Sequence, residues 1–435
     1  MYLPLLMFFA LFIGLLSGIP IAFVLGFVSL AFAWILWGVA GMNLIIGAAW
    51  GTMNNFSLIA VPLFIFMALM LEKSGLIADL YSCFYKWSGG VRGGLAVATI
   101  LVGTILGAVS GVVAAGIIGL GLIAFPQMEK YKYDRKINMG SILAGGTLGQ
   151  LVPPSVVMVI YGAITGVSVG KLFAGGIVLG LFLSFLYIAY ILARSYFKKD
   201  LCPSLPVDKR ATFTEKINSL RYILWPVLII IIVLGSILSG VCTPSEGAAF
   251  GALSSVVFSL ATRRFRWKTL WEVAMQTLKV TSMVGWIILS AKTFGSVFSG
   301  IGGNAIVEKV VTSVPGGAWG TLIICSIFLL FLGMFLESVA MIMLAAPVIS
   351  PILAKLGFDP LWWGLVFMIL LQVGFLSPPF GFSLFYLKGV VPPKISLGEI
   401  YLSALPFIAI QIIGIIIILI FPGIAIWFPN FIFAK

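Results

Sequence analysis

Two apolar stretches of this chain break their own helices, and they do so at matching places. The first, Gly145–Tyr161, reads GGTLGQLVPPSVVMVIY; the second, Gly374–Tyr386, reads GFLSPPFGFSLFY. Each proline pair removes two backbone donors and pushes the preceding residue out of helical geometry. Adding 225 to the first copy's numbers pairs Gly149 with Gly374, Leu151 with Leu376, Pro153 with Pro378, Pro154 with Pro379 and Tyr161 with Tyr386. A carbonyl stripped of its helical partner is tolerated at membrane depth only when buried in protein or lining a cavity. There it can coordinate a cation. Interrupted apolar segments in corresponding halves point to a transporter's binding site. Ordinary proline kinks in bundle helices are the alternative.

The membrane setting follows from composition: the 435 residues are 61% hydrophobic and 9% charged, which fits a polytopic helical membrane protein and no soluble domain. The net charge of +13 reads as topology rather than nucleic-acid binding, because the basic residues sit between apolar spans. The start, MYLPLL, has no basic n-region, so a spanning segment is expected there rather than a cleavable signal. The four cysteines, Cys83, Cys202, Cys242 and Cys325, are scattered singly and suggest neither a metal site nor a disulfide framework.

In order, Leu3–Ser17, Pro20–Trp37 and Phe56–Leu71 read as spans, and Ser74–Gly90 as an amphipathic surface helix. Gly93–Gln127, rich in small residues, reads as a re-entrant helical hairpin. Residues 138–165 form the broken span, and Leu172–Arg194 closes a first repeat over residues 1–194. A polar linker, 195–221, follows. The second repeat, 222–435, has spans at Tyr222–Gly240 and Ser245–Ala261, an amphipathic segment at Arg263–Lys279 and a span at Thr281–Phe298. It continues with a hairpin at 319–351, a broken span at 361–387 and a last span at Tyr401–Phe428. With the linker inside, alternation puts 21 of the 26 lysines and arginines on the cytoplasmic side. The halves are then inverted: an all-α polytopic membrane protein with two inverted-topology repeats, the plan of secondary transporters.

Catalysis finds little support. There is no histidine, hence no Ser-His dyad and no HExxH zinc site. Gly170-Lys171 is followed by Leu172, so no phosphate-binding GxxxxGK[ST] loop exists. Three features remain. Ser110, in the hairpin tip GAVSG at 107–111, offers a hydroxyl beside the free carbonyls of Gly149 and Val152, and hard cations take such oxygens; small-residue helix packing is the alternative use of that tip. In the second half Gly333 faces Gly374, Ser377 and the Phe380 backbone. The third feature is Glu337, an acid deep in the apolar run FLGMFLESVAM, where a carboxylate is costly and a role is the default expectation. It is free to pair with Lys292, the base inside a span, although Lys292 also has the length to snorkel. Glu246 sits by an outer turn and reads as structural.

These residues carry a family resemblance. SGVVAAG at 110–116, LGQLVPPSVVMVIYG at 148–162, KLFAGGI at 171–177, TPSEGAAFGA at 243–252, FLGMFLESVAMIMLAAPVISPI at 331–352 and FLSPPFG at 375–381 resemble the large membrane subunit, DctM/SiaM type, of tripartite ATP-independent periplasmic (TRAP) transporters. The resemblance covers essentially the whole chain, in the family's order. It implies sodium-driven import of organic anions by an elevator movement in the bacterial inner membrane. It implies two partners, a small four-helix membrane subunit (DctQ/SiaQ type) and a periplasmic binding protein (DctP/SiaP type). No cofactor is implied beyond sodium as the coupling ion. Carried over by motif, one sodium site uses Ser110 with Gly149, Val152 and Pro154, and the other uses Gly333, Gly374, Ser377 and Phe380. Substrate would meet Ser110, Ser155 and Glu337.

The sequence also departs from the pattern. Sialic-acid members resemble SGS with an acid a few residues on, whereas this chain has Val112 and Gly116; Glu337 stands where aspartate is commoner. The ending SPPFGFSLFYLKGVVPPKISLGEIY resembles a branch linked to 2-oxo or hydroxy acids. A stand-alone sodium–carboxylate symporter is the competing transporter assignment, and a channel or membrane scaffold the competing class. Cys202 offers a native label for the cytoplasmic linker.

Overall fold

The computed structural model describes residues 2–111 and 113–434; the side chains of Leu16, Ser110 and residues 310–312 lie outside that description, as does Val112. Among the described residues every regular element is helical. α1 (Tyr2–Leu16), α2 (Ile21–Trp37), α3 (Val39–Met53), α4 (Ala60–Lys73) and α5 (Leu76–Ser88) precede a hairpin of α6 (Gly94–Ser110) and α7 (Val113–Lys130). α8 (Arg135–Thr147) and α9 (Val156–Thr165) are the pieces of the first broken span; α10 (Val169–Phe197) and α11 (Phe213–Ser219) follow. The second half holds α12 (Arg221–Leu238), α13 (Pro244–Ala261), α14 (Trp267–Gly300) and α15 (Gly303–Thr312), then a hairpin of α16 (Gly317–Gly333) and α17 (Ser338–Lys355). α18 (Pro360–Leu376) and α19 (Phe382–Lys388) form the second broken span, and α20 (Leu397–Ile420) and α21 (Gly423–Phe433) end the fold. Seven helices among the described residues are long and apolar enough to cross a membrane.

Several boundaries differ from those expected. Val39–Met53, unassigned from sequence, is helical. Arg263–Lys279 is not a separate surface helix, because α14 starts within it at Trp267 and runs unbroken for 34 residues through the following span. No proline or glycine lies between Lys279 and Thr281 to stop the backbone ladder. The second amphipathic helix is α15, placed directly before its hairpin as α5 is before the first. The last span is divided at Phe421-Pro422, since proline cannot donate to the preceding turn. At the start of α13, Thr243 N–H donates to the Glu246 carboxylate at 2.8 Å and Glu246 N–H donates back to Thr243 Oγ1 at 3.3 Å, a capping box. Glu246 is therefore structural, as expected.

Small residues set how close the helices come. α8 lies against α6, α7 and α20. A Cβ built on Gly103 would meet the Gly145 carbonyl carbon at 2.5 Å, and one on Gly146 would meet Ile117 N at 2.9 Å. In lipid, apolar burial gives helices little reason to associate, so backbone approach of this kind supplies the packing.

The linker is docked rather than loose. Gly93 N–H donates to the Cys202 carbonyl (3.0 Å), Asp134 N–H to Leu201 (2.8 Å) and Leu205 N–H to Gly89 (2.9 Å). It also contains α11, started by a Thr212–Glu215 capping box. Cys202 is 0% exposed, and burial pushes its thiol up to about 11. Thiolate is the reactive form, so Cys202 is a poor label from either side. In a Cys242→Ser background, which removes the partly exposed native thiol, cysteine placed at exposed Lys209 is expected to react with a membrane-impermeant maleimide only after the cells are opened, while Cys202 stays unmodified. Labelling of Lys209→Cys in intact cells would reverse the topology.

Candidate functional site

The two breaks explain themselves residue by residue. In a continuous helix the carbonyls of Gly149 and Gln150 would receive N–H groups from residues 153 and 154, which are both proline. The chain instead closes a tight turn at Leu148–Gln150, runs through a cis Pro153-Pro154 bond and re-enters helix after extended Ser155. The Ser155 hydroxyl donates to the Gln150 carbonyl at 2.8 Å. None of the hydrogen bonds among the described residues ends on the carbonyls of Val152 or Pro154. In the second break the residues facing Gly374 and Phe375 four positions on are Pro378 and Pro379, again joined by a cis bond. Ser377 N–H donates to the Gly374 carbonyl at 3.1 Å, and its hydroxyl donates to Val373 at 2.8 Å. The Ser377 oxygen keeps its lone pairs for another partner.

Each hairpin presses its tip on its own break through glycines. A Cβ on Gly107 would stand 3.0 Å from Gly149 Cα, and one on Gly111 would stand 2.7 Å from the Pro154 oxygen. Gly111 has φ +57°, which closes the tip where a side chain would be strained. In the second half a Cβ on Gly333 would stand 2.9 Å from Gly374 Cα, and one on Gly374 would stand 2.7 Å from Gly333 Cα. Phe380, 52% exposed, lies tilted on Phe335 of the tip at 5.5 Å. The structure thus brings Gly149 and Pro154 to the first tip, and Gly333 to Gly374 with Ser377 and Phe380 on the same break, whereas the Val152 side chain faces Gly180 of α10. Ser110 ends α6 at the first tip; its side chain lies outside the described residues.

Glu337 caps α17. Its carboxylate accepts from Val339 N–H at 3.0 Å, at a helix end that favours negative charge. No ion pair joins it to Lys292 among the described residues, so that pairing is not how its charge is met. Sequence reasoning missed the side chains that link the halves. Gln150 and Ser338 hydrogen-bond to each other, connecting the first break to the residue beside Glu337. Gln372 Nε2 donates to Thr147 Oγ1 at 3.2 Å, and the Thr147 hydroxyl donates onward to Ala144 at 3.0 Å. Gln150 Oε1 and Gln372 Oε1 are buried without a partner among the described residues. The available signal was the presence of amide side chains inside otherwise apolar broken spans.

Residues 8–424 match the family described as "Tripartite ATP-independent periplasmic transporter, DctM component". The chain belongs to this TRAP permease family. It is 33% identical, over 87% of each chain, to the C4-dicarboxylate TRAP transporter large permease protein DctM of Pseudomonas aeruginosa. It is 29% identical to the isethionate TRAP transporter permease protein DctMQ of Oleidesulfovibrio alaskensis, across 97% of this chain and 65% of that one. Among solved structures it resembles the Alcanivorax borkumensis YdaH transporter, with a TM-score of 0.64, 14% identity and 90% coverage of both chains, a likeness of fold. As a TRAP permease the chain is a membrane transport component, and its named relatives are permeases rather than enzymes.

Proposed function

We propose that this TRAP permease imports a small organic anion into the bacterial cell, coupled to sodium, through an elevator movement of the hairpins and broken spans. The observation that carries this is the pair of glycine contacts that press each hairpin on a broken span, with no donor among the described residues on the Val152 and Pro154 carbonyls. Oxygen-only sites of this kind suit hard cations. One sodium ion would take Gly149, Val152 and Pro154 carbonyl oxygens with Ser110; the other would take Gly333, Gly374, Ser377 and Phe380. The anion would lie between Ser155 and Glu337, which Gln150 and Ser338 bridge. Bound sodium organises the site that substrate then enters, which couples the two without ATP.

Inverted repeats in the inner membrane, with the linker inside, complete the proposal. In their support, α17 begins and ends 225 residues after α7, the separation that also joins Thr147 to Gln372. The family's tripartite description supports a small four-helix membrane subunit and a periplasmic binding protein as partners. The substrate named for one relative, a C4-dicarboxylate, supports a carboxylate.

Sodium titration of uptake tests the proposal. Ser377→Ala removes one ligand and leaves the backbone ones. One lost hydrogen-bond-sized contact corresponds to a shift of about fivefold in half-saturating sodium. The maximal rate should change little. Full uptake by the parent in sodium-free medium removes sodium from the mechanism; omitting the binding protein from proteoliposomes tests the tripartite assignment separately.

A further inference from the structure

A cavity of about 380 Å³ lies away from the hairpin tips, between α1, α3 and α14 on one side and α9 and α17 on the other. Lys292 of α14 lines it, with Thr52, Asn55, Ser296, Asn304 and Pro347 among its other walls. None of the residues lining the cavity is acidic. Among the described residues no carboxylate lies within ion-pair distance of Lys292; Glu308, the acid of α15, pairs with Lys355 at 2.9 Å. The polar walls are already directed elsewhere. Asn55 Oδ1 accepts from Ser57 N–H at 3.1 Å, Ser296 donates to the Lys292 carbonyl at 2.9 Å, and Asn304 donates to Ser299 at 2.9 Å. The ammonium is left as the unanswered charge in this space.

A lysine inside an apolar span is costly and is normally met by a counter-charge or by water in a cavity. Here the cavity is present and the protein's counter-charge is absent. The volume falls in the range of small-ligand pockets. We propose that this cavity is an anion site in which Lys292 binds an oxyanion, either a solute carboxylate or a lipid phosphate. Its location on the seam between two helix groups gives the bound anion contact with both. The site is separate from the hairpin tips and stands whether or not sodium drives transport.

The reporter is Ser296→Cys, one turn from Lys292 in the cavity wall, in a Cys242→Ser background, because Cys242 is the partly exposed native thiol. The full chain is placed in phosphatidylcholine nanodiscs. The thiol is modified with anionic sulfonatoethyl or cationic trimethylammonioethyl methanethiosulfonate. A single nearby charge acts in opposite directions on the two reagents, so Lys292→Gln should lower the anionic-to-cationic rate ratio by about tenfold. Lys292→Arg should preserve the ratio, which separates charge from misfolding. Succinate slowing the anionic reagent only when Lys292 is present identifies a solute carboxylate as occupant. Slowing in phosphatidylglycerol discs instead identifies a lipid phosphate. An unchanged ratio in Lys292→Gln overturns the proposal, and so does a fall in ratio with no protection by either anion.

Discussion

Gly374→Val is expected to abolish uptake while the chain still inserts in the membrane. The first atom of the new side chain would stand 2.7 Å from Gly333 Cα, 3.0 Å from its carbonyl carbon and 3.3 Å from its oxygen. All three are backbone atoms of the hairpin, so no rotamer change relieves the contact. Overpacking of this kind costs about 1–3 kcal/mol, which a large helical protein survives. The hairpin does not survive in place, because the clash is relieved by moving it off the break. That motion separates Gly333 from Gly374 and Ser377, the oxygens proposed to share an ion. Gly285→Val is the matched control, since a Cβ there meets nothing within 4 Å. Uptake in proteoliposomes, normalised to inserted protein, distinguishes the two. If Gly374→Val keeps more than half the parental rate, close seating of the hairpin is irrelevant to transport.

The second large effect is expected at Gln150. Its side chain is 1% exposed and bonded to Ser338, which begins α17 beside Glu337. Gln150→Leu leaves the buried Ser338 hydroxyl without that partner. A stranded buried polar group costs about 1–3 kcal/mol, which corresponds to a loss of uptake of roughly 5- to 150-fold if the linked geometry is the transporting one. Ser338→Ala should lose a similar factor. The double variant should be no worse than the weaker single variant, because both changes remove the same bond. Uptake losses that multiply would show that the two side chains act independently.

Much of the path to these residues was legible, for a local reason. A proline pair acts on carbonyls four residues back, so the breaks at Gly149–Ser155 and Gly374–Pro379 could be placed from sequence alone. The capping box at Thr243–Glu246 is legible for the same reason. α3 was not, because Gly41, Gly47 and Gly51 dilute its helical pattern. Gly41 is needed there, since a Cβ would meet the Ala33 carbonyl oxygen at 2.3 Å. The amphipathic pattern of Arg263–Lys279 suggests a separate surface helix, yet a change from amphipathic to apolar composition does not interrupt backbone hydrogen bonds, and α14 continues through it. α11 carried a readable Thr-x-x-Glu start inside a segment judged only by its polarity. The pairings of Gln150 with Ser338 and of Thr147 with Gln372 span 188 and 225 residues. No pattern within one helix specifies such partners.

The unbroken length of α14 has a consequence of another kind. At 1.5 Å per residue its 34 residues extend about 50 Å, while the hydrocarbon layer is about 30 Å thick. The helix therefore leans or carries its first turns along the headgroups, where exposed Trp267 and Trp271 suit the interface. The matching stretch of the first half is jointed, with Asn54 and Asn55 between α3 and α4. A stiff strut on one side and a hinged one on the other respond unequally to hydrophobic mismatch. Longer acyl chains would tilt α14 upright as a rod but open an angle in its counterpart. Bilayer thickness thereby becomes a force applied to one half of the protein more than to the other.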